Sequence, residues 1–201
     1  MLRTLSLLVV LVLIPVSASF AQKVSDPGNV GPSSQLSIFT GTTSVNLSSE
    51  FAGALGTLQI SPSSAFPGRL VRARAIFPIT TATLDSDTVR GEISHTGGLI
   101  LRRGSTIVRL ESFVIDTTGA GGIVLTGLVS ANGSVVGRIP LFDLILPGSF
   151  LADPALIRLD GVSVTLRPEA AAALNTVFET TAFTAGFNIG TASVSATAFG
   201  I

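Results

Sequence analysis

Gly122-Ile-Val-Leu-Thr-Gly-Leu-Val-Ser130, Ala131-Asn132-Gly133, then Ser134-Val-Val-Gly-Arg-Ile-Pro-Leu-Phe-Asp-Leu-Ile-Leu146: this stretch decides the fold class. Asn-Gly accepts the positive φ values that a tight turn demands, so the flanking runs read as a β-hairpin. Working outward, residues 70–77, 106–115 and 156–166 carry the period-two pattern and β-branched content of further strands. Run 70–77 places Arg72 and Arg74 on one face, with Val71, Ala73, Ala75 and Phe77 on the other. Run 106–115 sets Ile107, Arg109, Glu111, Phe113 and Ile115 against Val108, Leu110 and Val114. Both of its faces are partly apolar, which predicts a central strand. Pro140 and Gly161 are expected at edges, bends or bulges.

Two segments interrupt this rhythm and resemble each other. Residues 44–57 and 163–176 align without a gap and are identical at eight of fourteen positions. In each, a strand ending at Leu47 or Leu166 runs into a short helix. Phe51, Ala54, Leu55 and Leu58 fall at helical spacing, as do Ala170, Ala173, Leu174 and Val177. Pro168 suits a first helical position, and Glu50 and Glu169 suit the positive end of a helix dipole. The pair is either two similar strand-to-helix corners or a duplication. The expected fold is mainly β: an antiparallel β-sandwich or distorted barrel with two short helices, over residues 43–201.

Residues 1–21 read as an export signal. Arg3 supplies the positive start, residues 5–16 are almost unbroken apolar, and Ser19-Phe20-Ala21 precedes Gln22. That run of about a dozen residues is short of the roughly 20 a spanning helix needs; retention as an N-terminal anchor is the alternative. Residues 22–42, rich in Ser, Gly, Pro and Thr, read as a flexible lead-in. Without Arg3, 11 basic side chains face 12 acidic ones. Such balance gives no electrostatic reason to expect nucleic acid or anionic lipid. Disulfides are excluded because the chain has no cysteine. An exported chain so poor in charge points to self-association or to contact with other cell-envelope components.

Phe77-Pro78, then Gly91-Glu92-Ile93-Ser94-His95-Thr96-Gly97-Gly98-Leu99, the strand 108–116, and Val164-Thr165-Leu166 with Phe183 and Gly186 together resemble the HtaA-type domain of secreted and surface bacterial haem-uptake proteins. The resemblance spans residues 70–190. It implies a β-rich domain whose haem iron is held chiefly by a tyrosine phenolate with a histidine assisting. This chain has no tyrosine, and only His95 falls on a functional position of that pattern.

His95 is the sole histidine in a chain without Cys, Tyr or Trp and with no Met beyond Met1. A neutral imidazole binds iron, and the glycines after it would admit a flat macrocycle; a structural or solvated histidine is the plain alternative. A metal site of protein ligands alone would need Asp85, Asp87 or Glu92. Serine hydrolysis lacks a Gly-x-Ser-x-Gly elbow, and Glu92 with Glu111 is a weak glycosidase pair. Arg69, Arg72, Arg74, Arg102 and Arg103 suit an anionic polymer or the solvent face of strands. Nucleic acid is disfavoured because that cluster carries no aromatic platform. Sequons at Asn46 and Asn132 matter only in a eukaryotic secretory pathway, and an outer-membrane barrel is disfavoured by the missing Trp and Tyr girdles. The sequence therefore reads as a secreted or cell-surface, non-catalytic binding or structural protein of a bacterial envelope, touching a membrane without spanning it and needing no cofactor. The alternative is a haem-binding protein of the HtaA type that uses His95.

Overall fold

The computed structural model describes residues 35–85, 88–147, 151–153 and 156–200. The export signal and residues 22–34 of the lead-in lie outside that set. The strands are β1 (Gln35–Leu47), β2 (Ser61–Ala65), β3 (Arg69–Val71), β4 (Arg74–Asp85), β5 (Gly91–His95), β6 (Gly98–Arg103), β7 (Thr106–Asp116), β8 (Ile123–Ala131), β9 (Ser134–Ile145), β10 (Leu151–Asp153), β11 (Leu156–Leu166) and β12 (Asn188–Gly200). Two helices, α1 (Ser49–Thr57) and α2 (Pro168–Val177), follow β1 and β11 directly. Residues 35–42 of the expected lead-in are therefore strand. Their Ser and Thr side chains mask a segment whose Ile38 is fully buried.

Of the two architectures the sequence allowed, the molecule adopts the barrel. Eight antiparallel strands close in the order β7-β5-β4-β1-β12-β11-β9-β8, and β8 returns to β7. β6 and β2 extend from the same edge of β7 that β5 uses: β6 pairs with its first half and β5 with its second. Along β12, Ile189, Ala192, Val194 and Ala196 face inward, while Thr191, Ser195 and Thr197 are exposed. An apolar interior inside a hydroxyl-rich wall is the reverse of the lipid-facing apolar band of a membrane barrel. Neither helix is long and apolar enough to cross a membrane.

Local chemistry explains the departures from simple alternation. The run expected as one strand over 70–77 is a hairpin, with Val71 paired to Arg74 across a two-residue turn at Arg72 and Ala73. Arg72 takes φ +56 there without glycine or asparagine. A two-residue turn preserves period two, so the pattern hides it. In β7 a bulge sits at Ser112, φ +52, where the register with β8 shifts between Glu111 and Val114. The bulge swaps the faces expected from the sequence, bringing Val108, Leu110, Phe113 and Ile115 together on the core side. Gly161, φ +80, does mark a bulge in β11, and Asn132 and Gly133 make the β8–β9 turn with φ +50 and +86.

The two strand-to-helix corners match closely. Ser48 caps α1 by accepting from the Phe51 amide, while Pro168 opens α2. The Leu58 and Phe178 amides each donate four residues back, and Gln59 and Glu179 follow at φ +56 and +48. The likeness then stops. α1 leads into β2, whereas α2 leads into a loop that hydrogen-bonds Asn175 to the Phe183 backbone. Phe51, Leu55, Ala170, Leu174 and Phe178 enter the main core, so the helices cover one end of the barrel.

Candidate functional site: a buried imidazole inside the barrel

The chain hands over from β5 to β6 at one place, and that places His95. β5 ends at His95, whose Cα pairs with Ile79 of β4. Thr96 then donates to the Pro78 carbonyl, and the Ser112 amide of the β7 bulge donates to the Gly97 carbonyl. Ile93 and His95 share the inward face, so the imidazole enters the barrel and is only 5% exposed.

Inside, Nε2 lies 2.7 Å from the hydroxyl of Thr43 on β1. Nδ1 has no partner in good hydrogen-bond geometry, the sole such buried side-chain atom among the described residues, although it lies near the backbone of Phe113 and Ile93, which favours its protonation. Burial pushes the pKa of His95 down to about 4, although the nearby backbone of Phe113 and Ile93 partly offsets this. The ring is therefore neutral at ordinary pH. A cavity of about 50 Å³ adjoins it, walled by Val45, Phe77, Leu99, Phe113, Leu144 and Val164 among others. Phe77 and Phe113 meet edge to face, 5.0 Å between centroids.

The glycines after His95 do not admit a ligand, contrary to the expectation from sequence. A Cβ at Gly97 would lie 2.2 Å from the Gly68 amide nitrogen, and one at Gly98 would lie 2.0 Å from the Leu110 carbonyl oxygen. They are small so that neighbouring backbones can approach.

Two larger apolar chambers flank this centre. One, about 210 Å³, occupies the barrel end away from the helices, lined by Leu84, Val89, Ile93, Ile123, Leu146, Ile157 and others. It reaches inward to Thr43. The other, about 240 Å³, lies between α2 and the β7–β9 sheet, with no titratable side chain in its lining.

The remaining candidates do not converge. Glu92 pairs across the sheet with Asp116, five residues along β7 from Glu111, or roughly 16 Å. Glu111 is held below its usual pKa by its hydrogen bonds to Arg109, which leaves it a poor proton donor. Asp85 accepts from the Thr88 amide and hydroxyl, and Asp87 lies outside the described residues. No cluster of three metal-ligating side chains occurs among the described residues. Arg74 donates to Ser44, Arg103 lies over the Phe178 ring, and Arg69, Arg72 and Arg102 are exposed. The sequence could not reveal Thr43, which is 52 residues from His95 and meets it only through the β1–β4–β5 register.

These features define a closed β-barrel domain capped by two helices, with an apolar lumen and one sequestered imidazole. Its fold is the HtaA-type fold. No family model matches the chain, and no curated protein matches it in sequence. Among solved structures it is similar to the C-terminal domain of HtaA from Corynebacterium glutamicum, with TM-score 0.64 and 14% identity over 82% of this chain and 99% of that one. A domain-swapped dimer of a variant of that domain gives TM-score 0.55 and 16% identity, covering 73% and 88% of the two chains. The heme binding protein HtaB from the same organism gives TM-score 0.56 and 9% identity over 82% and 96%.

Proposed function

We propose that this chain is a non-catalytic binding protein that takes an apolar ligand inside its barrel, next to His95. One observation carries the reading: the barrel holds an apolar-lined chamber of about 210 Å³ that reaches Thr43, the hydrogen-bond partner of the buried, neutral His95. The likeness to a haem-binding barrel supports a binding role over a purely structural one.

Haem is the second reading, supported by that likeness and by the neutral state of His95. The donor suits ferric or ferrous iron in kind. The rest of the site does not fit a macrocycle. The oxygen next to the imidazole belongs to an aliphatic alcohol, Thr43, not to a phenol. The space at the ring is about 50 Å³, against several hundred Å³ in pockets that enclose flat cofactors or drug-sized molecules.

Export to the cell surface or beyond rests on Arg3, the apolar run and Ser19-Phe20-Ala21. Self-association is supported by the domain-swapped dimer among the similar structures.

Titration of the purified protein with cis-parinaric acid, a linear apolar-chain fluorophore, and separately with haemin tests the reading. Saturable fluorescence enhancement near one equivalent supports it. Absence of saturation with either compound overturns it. A Soret shift at one equivalent that vanishes in His95→Ala makes haem the ligand.

A further inference from the structure

The chamber at the helix-free end of the barrel has a shape and chemistry of its own. It is walled by Leu84, Val89, Ile93, Leu146, Ile157 and Val194, and it reaches Thr43, which also lines the small cavity at His95. None of its described lining side chains is charged. The two hydroxyls near its mouth are already engaged: Thr88 donates to Asp85, and Thr117 donates to the Val89 and Gly91 carbonyls. Inside, Thr43 is held by His95. Among the described residues, nothing in the wall can therefore repay the desolvation of an ionised or strongly polar group. At about 210 Å³ the chamber is below the roughly 300 Å³ at which pockets for drug-sized ligands begin, and its lining runs from exposed Leu146 to buried Thr43.

Resting on the reading of this chain as a binding barrel, we infer that the chamber takes a single unbranched hydrocarbon chain, methyl end first toward Thr43, with the polar end left at the mouth near Leu146. The source of the chain is either a free fatty acid or alcohol, or one acyl tail of a lipid. Each methylene transferred from water is worth about a fourfold gain in affinity. Affinity thus climbs with chain length and levels off when the chamber is full. It changes little with the head group, because the head stays outside.

Displacement of cis-parinaric acid, a linear fluorescent fatty acid, from the purified protein by saturated fatty acids, fatty alcohols and single-chain lysophospholipids of increasing length tests this. Expected is a rise of about fourfold per methylene to a plateau, with acids and alcohols of equal length agreeing within a few-fold. Lysophospholipids matching the free chains point to lipid as the source, and weak lysophospholipid binding points to free chains. Ala192→Phe, which fills the lumen, abolishes displacement. Leu146→Asp, at a half-exposed rim position that leaves folding intact, weakens it at least fivefold. Ala173→Leu, which fills only the pocket under α2, leaves it unchanged. Affinity independent of length, or loss in Ala173→Leu alone, overturns the inference. If haemin binds and no chain does, the inference fails while the binding reading stands. If neither binds, both fail.

Discussion

Lowering the pH should destabilise this protein through His95, and the effect can be isolated from that of the carboxylates. The ring is 5% exposed and its pKa falls from 6.5 to about 4 in the folded state because burial disfavours the charged form. Between those values the unfolded chain binds a proton that the folded chain refuses. Stability is complete above pH 6.5 and declines as the pH drops toward 4, below which no further loss arises from this group. A depression of that size corresponds to about 3 kcal/mol, a large share of the roughly 5–15 kcal/mol that holds a domain together. His95→Gln keeps a donor and an acceptor near Thr43 but cannot titrate. Urea denaturation of both proteins at pH 7 and pH 4 gives the test. Glu111, Asp116 and Glu169, whose pKa values are lowered by their hydrogen-bond partners, also weaken the fold on acidification. They do so equally in both proteins and cancel in the comparison. The expected result is that wild type loses about 3 kcal/mol more than His95→Gln over this range. Equal losses would refute the claim that His95 is sequestered and neutral.

Four other substitutions probe the same architecture. Thr43→Val removes the partner of Nε2 and should destabilise the fold by about 1–3 kcal/mol at pH 7, with the imidazole resonances shifting in an NMR spectrum. Phe178→Ala, at a fully buried site that follows α2, should reduce stability by about 3–5 kcal/mol in chemical denaturation. Gly97→Ala drives a Cβ into the backbone of Gly68 at φ +80; the soluble yield and melting temperature should both collapse, whereas Gly53→Ala on the open side of α1 should be neutral or stabilising.

The elements that announce themselves do so through residues acting locally. Asn132-Gly133 fixes its hairpin because few other residues accept those backbone angles, and Gly161 marks its bulge for the same reason. The helices after Leu47 and Leu166 are legible because apolar spacing, Pro168 and the first-turn glutamates agree. What escaped depends on residues that accept unusual conformations without advertising them. Ser112 and Arg72 take positive φ values that their side chains do not demand, so neither the exchange of faces in β7 nor the β3–β4 turn leaves a trace in the pattern. Closure of the ring is a property of the β7–β8 pairing across the whole sheet. His95 stood out by rarity alone. Its burial, its Thr43 contact and the chamber above it come from strands distant in sequence, and its neighbouring glycines serve strand crossing.

The most direct measurement of the central claim is a long-range 1H–15N spectrum of the His95 ring, recorded at pH 5.5 while an apolar ligand is added. The account predicts a neutral tautomer at that pH, with ring signals that move and saturate at one equivalent. A doubly protonated imidazole, or ring signals that stay fixed while the ligand binds elsewhere on the protein, would contradict it.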